Sequence, residues 1–232
     1  MEKKNRQPET TVYTNFLFLK ADRKFRHLMS NERIAAKQEL ENTVCAVQEE
    51  VFLRTYSLVG LDAGSDMLLW MAAPDIGKIQ KAWSRVSTSG AGRYFDTALC
   101  FIGMYPQPEG VPSKKEAGGV PAGLFGKSRY MLLHPLVREH AWYELSEAER
   151  GRFLAERQTA LAKYPSVTEH FFHSCGLDEQ EFIVVRESDA LDDLAAASRE
   201  LREQRIKMFT KRDTPNPLCV GDDLRNILDS LG

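Results

Sequence analysis

One three-residue phrase, Gly-Leu-Asp, occurs twice in this chain in similar surroundings. Val59–Asp62 reads Val-Gly-Leu-Asp and Cys175–Asp178 reads Cys-Gly-Leu-Asp. The likeness runs on to Trp70 in the first copy (VGLDAGSDMLLW) and to Val185 in the second (CGLDEQEFIVV). Each copy follows a helix-like run and a strand, and each precedes an acidic start and another helix-like run. An internal duplication of this kind restricts the chain to folds made from two copies of one unit. In the second copy, Val167–Cys175 and Glu181–Val185 are short runs rich in Phe, Val and Ile. They are joined through Gly-Leu-Asp-Glu, which predicts a β-hairpin.

The rest of the pattern follows in order. Residues 1–10 read as a disordered arm. Val12–Leu19 predicts a strand and Ser30–Glu50 a helix, with Ser30 at its N-cap and Glu32 in its first turn. Val51–Gly60 and Asp66–Ala72 are strands, Asp75–Val86 a helix, and Phe95–Tyr105 a strand that closes a first half spanning 11–105. A stretch rich in Pro, Gly, Lys and Glu, 106–127, reads as a linker loop. The second half, 128–232, repeats the order: strand Arg129–Val137, helix Ser146–Lys163 with Ser146 and Glu149 as a capping box, the hairpin, helix Asp192–Arg205, and a strand near Lys207–Lys211. Asp222–Leu231 adds a closing helix. Two β-α-β-β-α-β units predict an α+β fold of two ferredoxin-like halves packed sheet to sheet.

At 232 residues there is room for two such units. A formal net charge of −2 gives no electrostatic case for nucleic acid or an anionic membrane surface. Cys45, Cys100, Cys175 and Cys219 are widely spaced, so they indicate neither a zinc site nor a disulfide framework. The N-terminal residues lack the apolar core of a signal peptide, and no apolar run is long enough to span a membrane. A cytoplasmic protein is therefore expected.

Several phrases carry a resemblance: YMLLHPLVR (Tyr130–Arg138), WYELSEAER (Trp142–Arg150), Leu154-Ala155-Glu156, Tyr164, Gly176-Leu177-Asp178, Glu181-Phe182, Glu200-Leu201-Arg202 and Asp213-Thr214-Pro215. In the first half Val59-Gly60-Leu61, Asp66–Trp70 and Gly92-Arg93 match as well. Together they resemble the chlorite dismutase superfamily, which includes the coproheme decarboxylases, over roughly residues 11–231. The resemblance implies a dimeric-type α+β barrel, heme or coproheme in the C-terminal half with Tyr130 and Trp142 among the residues around it, and a ring-shaped homo-oligomer, a pentamer for chains of this length.

Carried over residue by residue, the family pattern is broken at its working positions. The proximal heme histidine corresponds to Arg157, which is protonated and offers only donors. Thirteen residues on, the distal position corresponds to His170. The radical-forming tyrosine of the decarboxylases corresponds to His134, and the distal base of one branch would fall near Gly119. Lys207 matches the basic residue that holds a porphyrin carboxylate. Arg186, beside Glu187, reads as a surface or sheet-edge charge.

Taken alone, a strand histidine is a hydrogen-bonded sheet residue. Under the resemblance, His134, Arg157 and His170 converge on one cavity that would bind a small anion, a metal, or heme. Two readings follow. In one, heme is held with altered ligation, His170 serving as the axial imidazole on the metal. In the other, a heme-free paralogue keeps the barrel as a binding or scaffold subunit. On both, efficient chlorite decomposition and coproheme decarboxylation are not expected. Apolar residues on the helices (Val44, Val47, Leu194 and Leu201) are expected to be left outside the barrel for a neighbouring copy to cover.

Overall fold

The computed structural model describes residues 11–105 and 125–232. The predicted arm, most of the predicted linker and Gly119 lie outside the described residues. The first half runs β1 (Val12–Ala21), α1 (Arg23–His27), α2 (Ser30–Gln48), β2 (Phe52–Ser57), β3 (Met67–Ala73), α3 (Ile76–Thr88), a 3-10 helix Gly90–Tyr94, and β4 (Phe95–Tyr105). The second half repeats each piece: β5 (Tyr130–Arg138), α4 (Ala141–Glu144), α5 (Glu147–Leu161), β6 (Thr168–His173), β7 (Phe182–Ser188), α6 (Leu191–Glu203), a 3-10 helix Arg205–Phe209, and β8 (Thr210–Arg212). β9 (Leu218–Gly221) and α7 (Leu224–Ser230) follow.

The duplication extends to hydrogen bonds. In the first copy, Leu61 and Asp62 donate their N–H groups to the Leu58 carbonyl. In the second, Leu177 and Asp178 donate theirs to the Ser174 carbonyl. Gly60 (φ 75°) and Gly176 (φ 82°) occupy the matching left-handed position of each turn. That conformation is open to glycine at little steric cost.

The strands of the first half pair in the order β4-β1-β3-β2, and those of the second in the matching order β8-β5-β7-β6. β9 joins the halves by pairing with β2 on one side and β5 on the other, and Met104 opposite His173 joins β4 to β6. All the strand pairings are antiparallel. The sheet thus closes on itself as an α+β barrel with helices outside: the two-halved α+β fold predicted from the repeat, in the barrel form that the resemblance implies.

The barrel interior is apolar and aromatic. Trp70 packs against Phe16 at 5.0 Å and Phe125 at 5.3 Å between ring centroids, and its Nε1–H donates to Thr14 Oγ1 at 2.8 Å. β3 is buried along its whole length, because one face meets this interior and the other meets α2, α3 and α7. Such a strand reads as a continuous apolar run rather than an alternating one.

Four expectations are corrected. Met29, not Ser30, caps α2, and its backbone N–H donates to the Glu32 carboxylate at 3.1 Å. Lys207 lies in the 3-10 helix, and the strand begins only at Thr210. The short β9 between the halves was not anticipated. Val44, Val47, Leu194 and Leu201 are buried within their own chain. The reason is that α2 and α6 turn these residues onto the sheet and α7 covers the remaining flank of α2. The apolar side chains that do stand outside include Met29, Ile34, Leu61 and Met208. The capping box of Ser146 and Glu149 forms as predicted. Among the described residues no helix is long and apolar enough to cross a membrane.

Candidate functional site

Strand register decides which side chains meet on the outer face of the second half. Glu169 lies opposite Arg186, Phe171 opposite Val184, and Val184 opposite His134. Directly opposed residues of an antiparallel pair share a face, so Glu169, Phe171, Arg186 and His134 form one surface beneath α5 and α6. Arg138, two pairs further along β5, ends the same row.

α5 presents Arg157 to this surface. Its guanidinium donates to Glu169 Oε1 at 2.6 Å and also to Glu169 Oε2, and it stacks over Phe171 at 4.9 Å from the ring centre. Arg186 Nε donates to the same carboxylate at 2.7 Å. The side chains of Arg157, Glu169 and Arg186 are only 10%, 5% and 8% exposed, so one carboxylate serves two buried cations. Burial alone would raise the Glu169 carboxyl, but bonding to Arg157 and Arg186 overrides it and holds the group below its usual range. Burial pulls the Arg186 guanidinium down.

His134 stands beside this network, 6% exposed, and its Nδ1 is buried with no hydrogen-bond partner among the described residues. Burial, and then the charge of Arg186, push its pKa down to about 3, so the ring is neutral at ordinary pH. It faces a cavity of about 70 Å³ also lined by Arg138, Arg157, Arg186, Arg202, Lys207 and Asp213. Lys207 is paired with Asp213. Arg138 Nη1 donates to Thr210 Oγ1 at 3.3 Å and its guanidinium stacks over Trp142 at 4.8 Å. Neither Arg138 nor Arg202 has a carboxylate within ion-pair distance among the described residues. Five cationic side chains thus line the small cavity with one carboxylate, Asp213, while Glu169, bonded to two of the five, lines a larger cavity beside it.

A second, larger cavity of about 860 Å³ lies on the other side of Arg138 and Arg157, which line both. Trp142, Leu154, Leu161, Phe171 and Phe182 supply most of its apolar wall, with Arg150 and His173 also lining it.

The site residues predicted from sequence divide accordingly. His134, Arg157 and Lys207 meet at the small cavity, and Trp142 lines the large one. His170 does not join them. It lies on the opposite face of β6, in the barrel interior, with Phe125 at 5.4 Å between ring centroids and its Nε2 3.4 Å from Glu187 Oε2. The expected convergence of His134, Arg157 and His170 is therefore corrected: the β6 residue facing α5 is Glu169. Tyr130 packs beside Leu132, Leu161 and Tyr164 near α6 and lines neither cavity. Arg186 is a buried partner of Glu169, not a surface charge. Glu169, Arg138 and Arg202 were missed. The hairpin turn at Gly176 carried the signal for the first, since it fixes Glu169 opposite Arg186.

An iron porphyrin held from α5 would need a lone-pair donor at Arg157. A guanidinium has none, and this one is engaged by Glu169. His170, the other expected ligand, is on the far side of the sheet. Neither Arg157 nor His170 fits axial ligation of heme between α5 and β6; the imidazole that lines the large cavity there is His173.

A model of the chlorite dismutase family matches residues 33–223. The chain is 27% identical over 163 residues to a coproheme decarboxylase of Mycolicibacterium smegmatis, covering 69% of this chain and 68% of the relative. It is 26% identical over 213 residues to a chlorite dismutase of Ideonella dechloratans, covering 86% and 73%. Among solved structures, a mutant chlorite dismutase from Candidatus Nitrospira defluvii superposes with a TM-score of 0.82 at 21% identity, covering 96% of both chains. A heme-binding protein from Thermus thermophilus superposes with a TM-score of 0.81 at 20% identity, covering 97% of this chain and 98% of that one.

Proposed function

The chain belongs to the chlorite dismutase family, and from that footing we propose that its C-terminal half is an anion-binding site rather than a heme-iron site. The observation that carries this reading is the buried group Arg157–Glu169–Arg186, which places a guanidinium and a carboxylate in direct contact between α5 and β6. Around it, Arg138 and Arg202 add positive charge with no carboxylate at ion-pair distance among the described residues, while Lys207 is paired with Asp213. Planar guanidinium groups match carboxylates and oxoanions in geometry as well as charge. A neutral His134 also lines the small cavity. Such a site suits binding. Chlorite decomposition and coproheme decarboxylation, the activities that the relatives' names carry, are not assigned to this chain.

Hemin titration of the purified protein tests the iron side of the reading. The expected outcome is no saturable Soret shift at one hemin per chain. A stoichiometric, sharp Soret band abolished by His134→Ala or His170→Ala would overturn it and favour heme with altered ligation. The anion side is tested by thermal unfolding in acetate against chloride at equal ionic strength. A carboxylate that binds the native state raises the midpoint by mass action. The gain should shrink in Arg202→Gln, whose side chain lines the cavity from an exposed position.

Assembly as a homo-oligomer, preferably a pentamer, belongs to the same proposal. Its support is the exposed Met29, Ile34, Leu61 and Met208 on the outer surface. Light scattering at micromolar concentration should give a multiple of 26.3 kDa, and a single-chain mass would refute it.

A further inference from the structure

Resting on the anion-binding reading, the geometry points to a more specific ligand: an amphipathic monocarboxylate, its head on Arg138 and Arg157 and its hydrocarbon body in the large cavity. Size decides the division. About 70 Å³ on the His134 side admits a carboxylate-sized group and little more. The cavity of about 860 Å³ on the other side lies within the range of small-molecule pockets.

Charge decides the orientation. The two arginines form the wall common to both cavities. Arg157 uses two of its five N–H donors on Glu169. Arg138 makes a single side-chain hydrogen bond among the described residues, to the hydroxyl of Thr210. Both guanidinium groups are also held flat against aromatic rings, Arg138 on Trp142 and Arg157 on Phe171. They are thereby positioned before any ligand arrives, which limits the ordering cost of binding.

The remaining wall chooses the body. Trp142, Leu154, Leu161, Phe171 and Phe182 offer dispersion contacts and few polar partners. Arg150 and Glu147 both line the cavity and offset each other in charge, Glu169 in the same wall is engaged by Arg157 and Arg186, and Gln158 and His173 complete the polar lining. A ligand charged at both ends would leave its second charge against this apolar wall, which is unfavourable. One head group and one apolar tail complement the site.

Isothermal titration of the full chain with acetate, butanoate, hexanoate and octanoate at fixed ionic strength tests this. Each methylene drawn into the cavity should tighten binding about four-fold. Leu154→Ser, at a position 41% exposed, should lower the gain per methylene in that series without adding a charge beside Arg157. Arg138→Gln should weaken octanoate at least ten-fold and octan-1-ol far less. Equal affinity for all four acids would overturn the inference and leave the anion site standing. Octanol binding as tightly as octanoate, with Arg138→Gln silent, would overturn both. Absence of binding by any of the acids would do the same.

Discussion

Glu169→Gln is the most informative single substitution. The amide copies the shape of the carboxylate but removes its charge and replaces one acceptor oxygen with a donor. Arg157 Nη1, on Oε1 at 2.6 Å, and Arg186 Nε, on Oε2 at 2.7 Å, could not then both keep an acceptor, with both guanidinium groups still buried. Removing one partner from a buried ion pair costs about 3–5 kcal/mol, because the other charge is left without compensation. In a chain of this size that corresponds to a fall in midpoint of roughly 6–20 °C. Urea unfolding at pH 7, with the slope checked for constancy, reads the difference directly.

The pH dependence has a definite sign. Glu169 is held below its ordinary value in the folded state. Its contribution is therefore complete above the unfolded carboxyl value of about 4.3 and is lost as pH falls through the lower folded value. Wild type and variant should converge in acid. The triple change Arg157→Met, Glu169→Leu, Arg186→Leu removes all three charges together and should be near neutral in stability or better, by up to about 4 kcal/mol. A Glu169→Gln protein within about 1 kcal/mol of wild type at pH 7 would refute the buried-network reasoning.

Two further predictions follow from the geometry. Gly176→Ala and Gly60→Ala should each lose about 1 kcal/mol in urea unfolding. A Cβ meets no atom within 4 Å at either position, so the loss comes from left-handed backbone alone; a loss above about 3 kcal/mol would mean that packing is involved. His134 is held down to about 3, below its unfolded value of about 6.5, so stability should decline as pH falls between those values, by on the order of 5 kcal/mol at the limit. His134→Asn should flatten that decline, and an unchanged acid profile would show that His134 titrates normally.

The fold was legible because the duplicated Gly-Leu-Asp turn carries its own register: the same two backbone hydrogen bonds recur at Leu58 and at Ser174. The site was less legible for a related reason. Counting thirteen residues from Arg157 reaches His170, but the strand presents alternate residues to opposite faces. A displacement of one position therefore exchanges the cavity for the barrel interior. His170 then finds Glu187 and Phe125, while Glu169 finds Arg157. Lys207 lines the small cavity, but from a 3-10 helix rather than the expected strand. Arg138 and Arg202 carry no local pattern of their own, and only the packing of α6 and β8 against β5 brings them together.

β9 has a consequence for how the chain is made. It is four residues long, yet it supplies the pairing between β2 and β5 on one side of the barrel. Until residues 218–221 have been synthesised, both strands must wait with unsatisfied backbone groups along their free edges. Such edges are templates for pairing with another chain, and domains formed earlier in synthesis are exposed to that hazard for longest. The same four residues, donated by a neighbour, would close the barrel equally well. Exchange of β9 and α7 between two nascent copies is therefore the misassembly to which this architecture is most open.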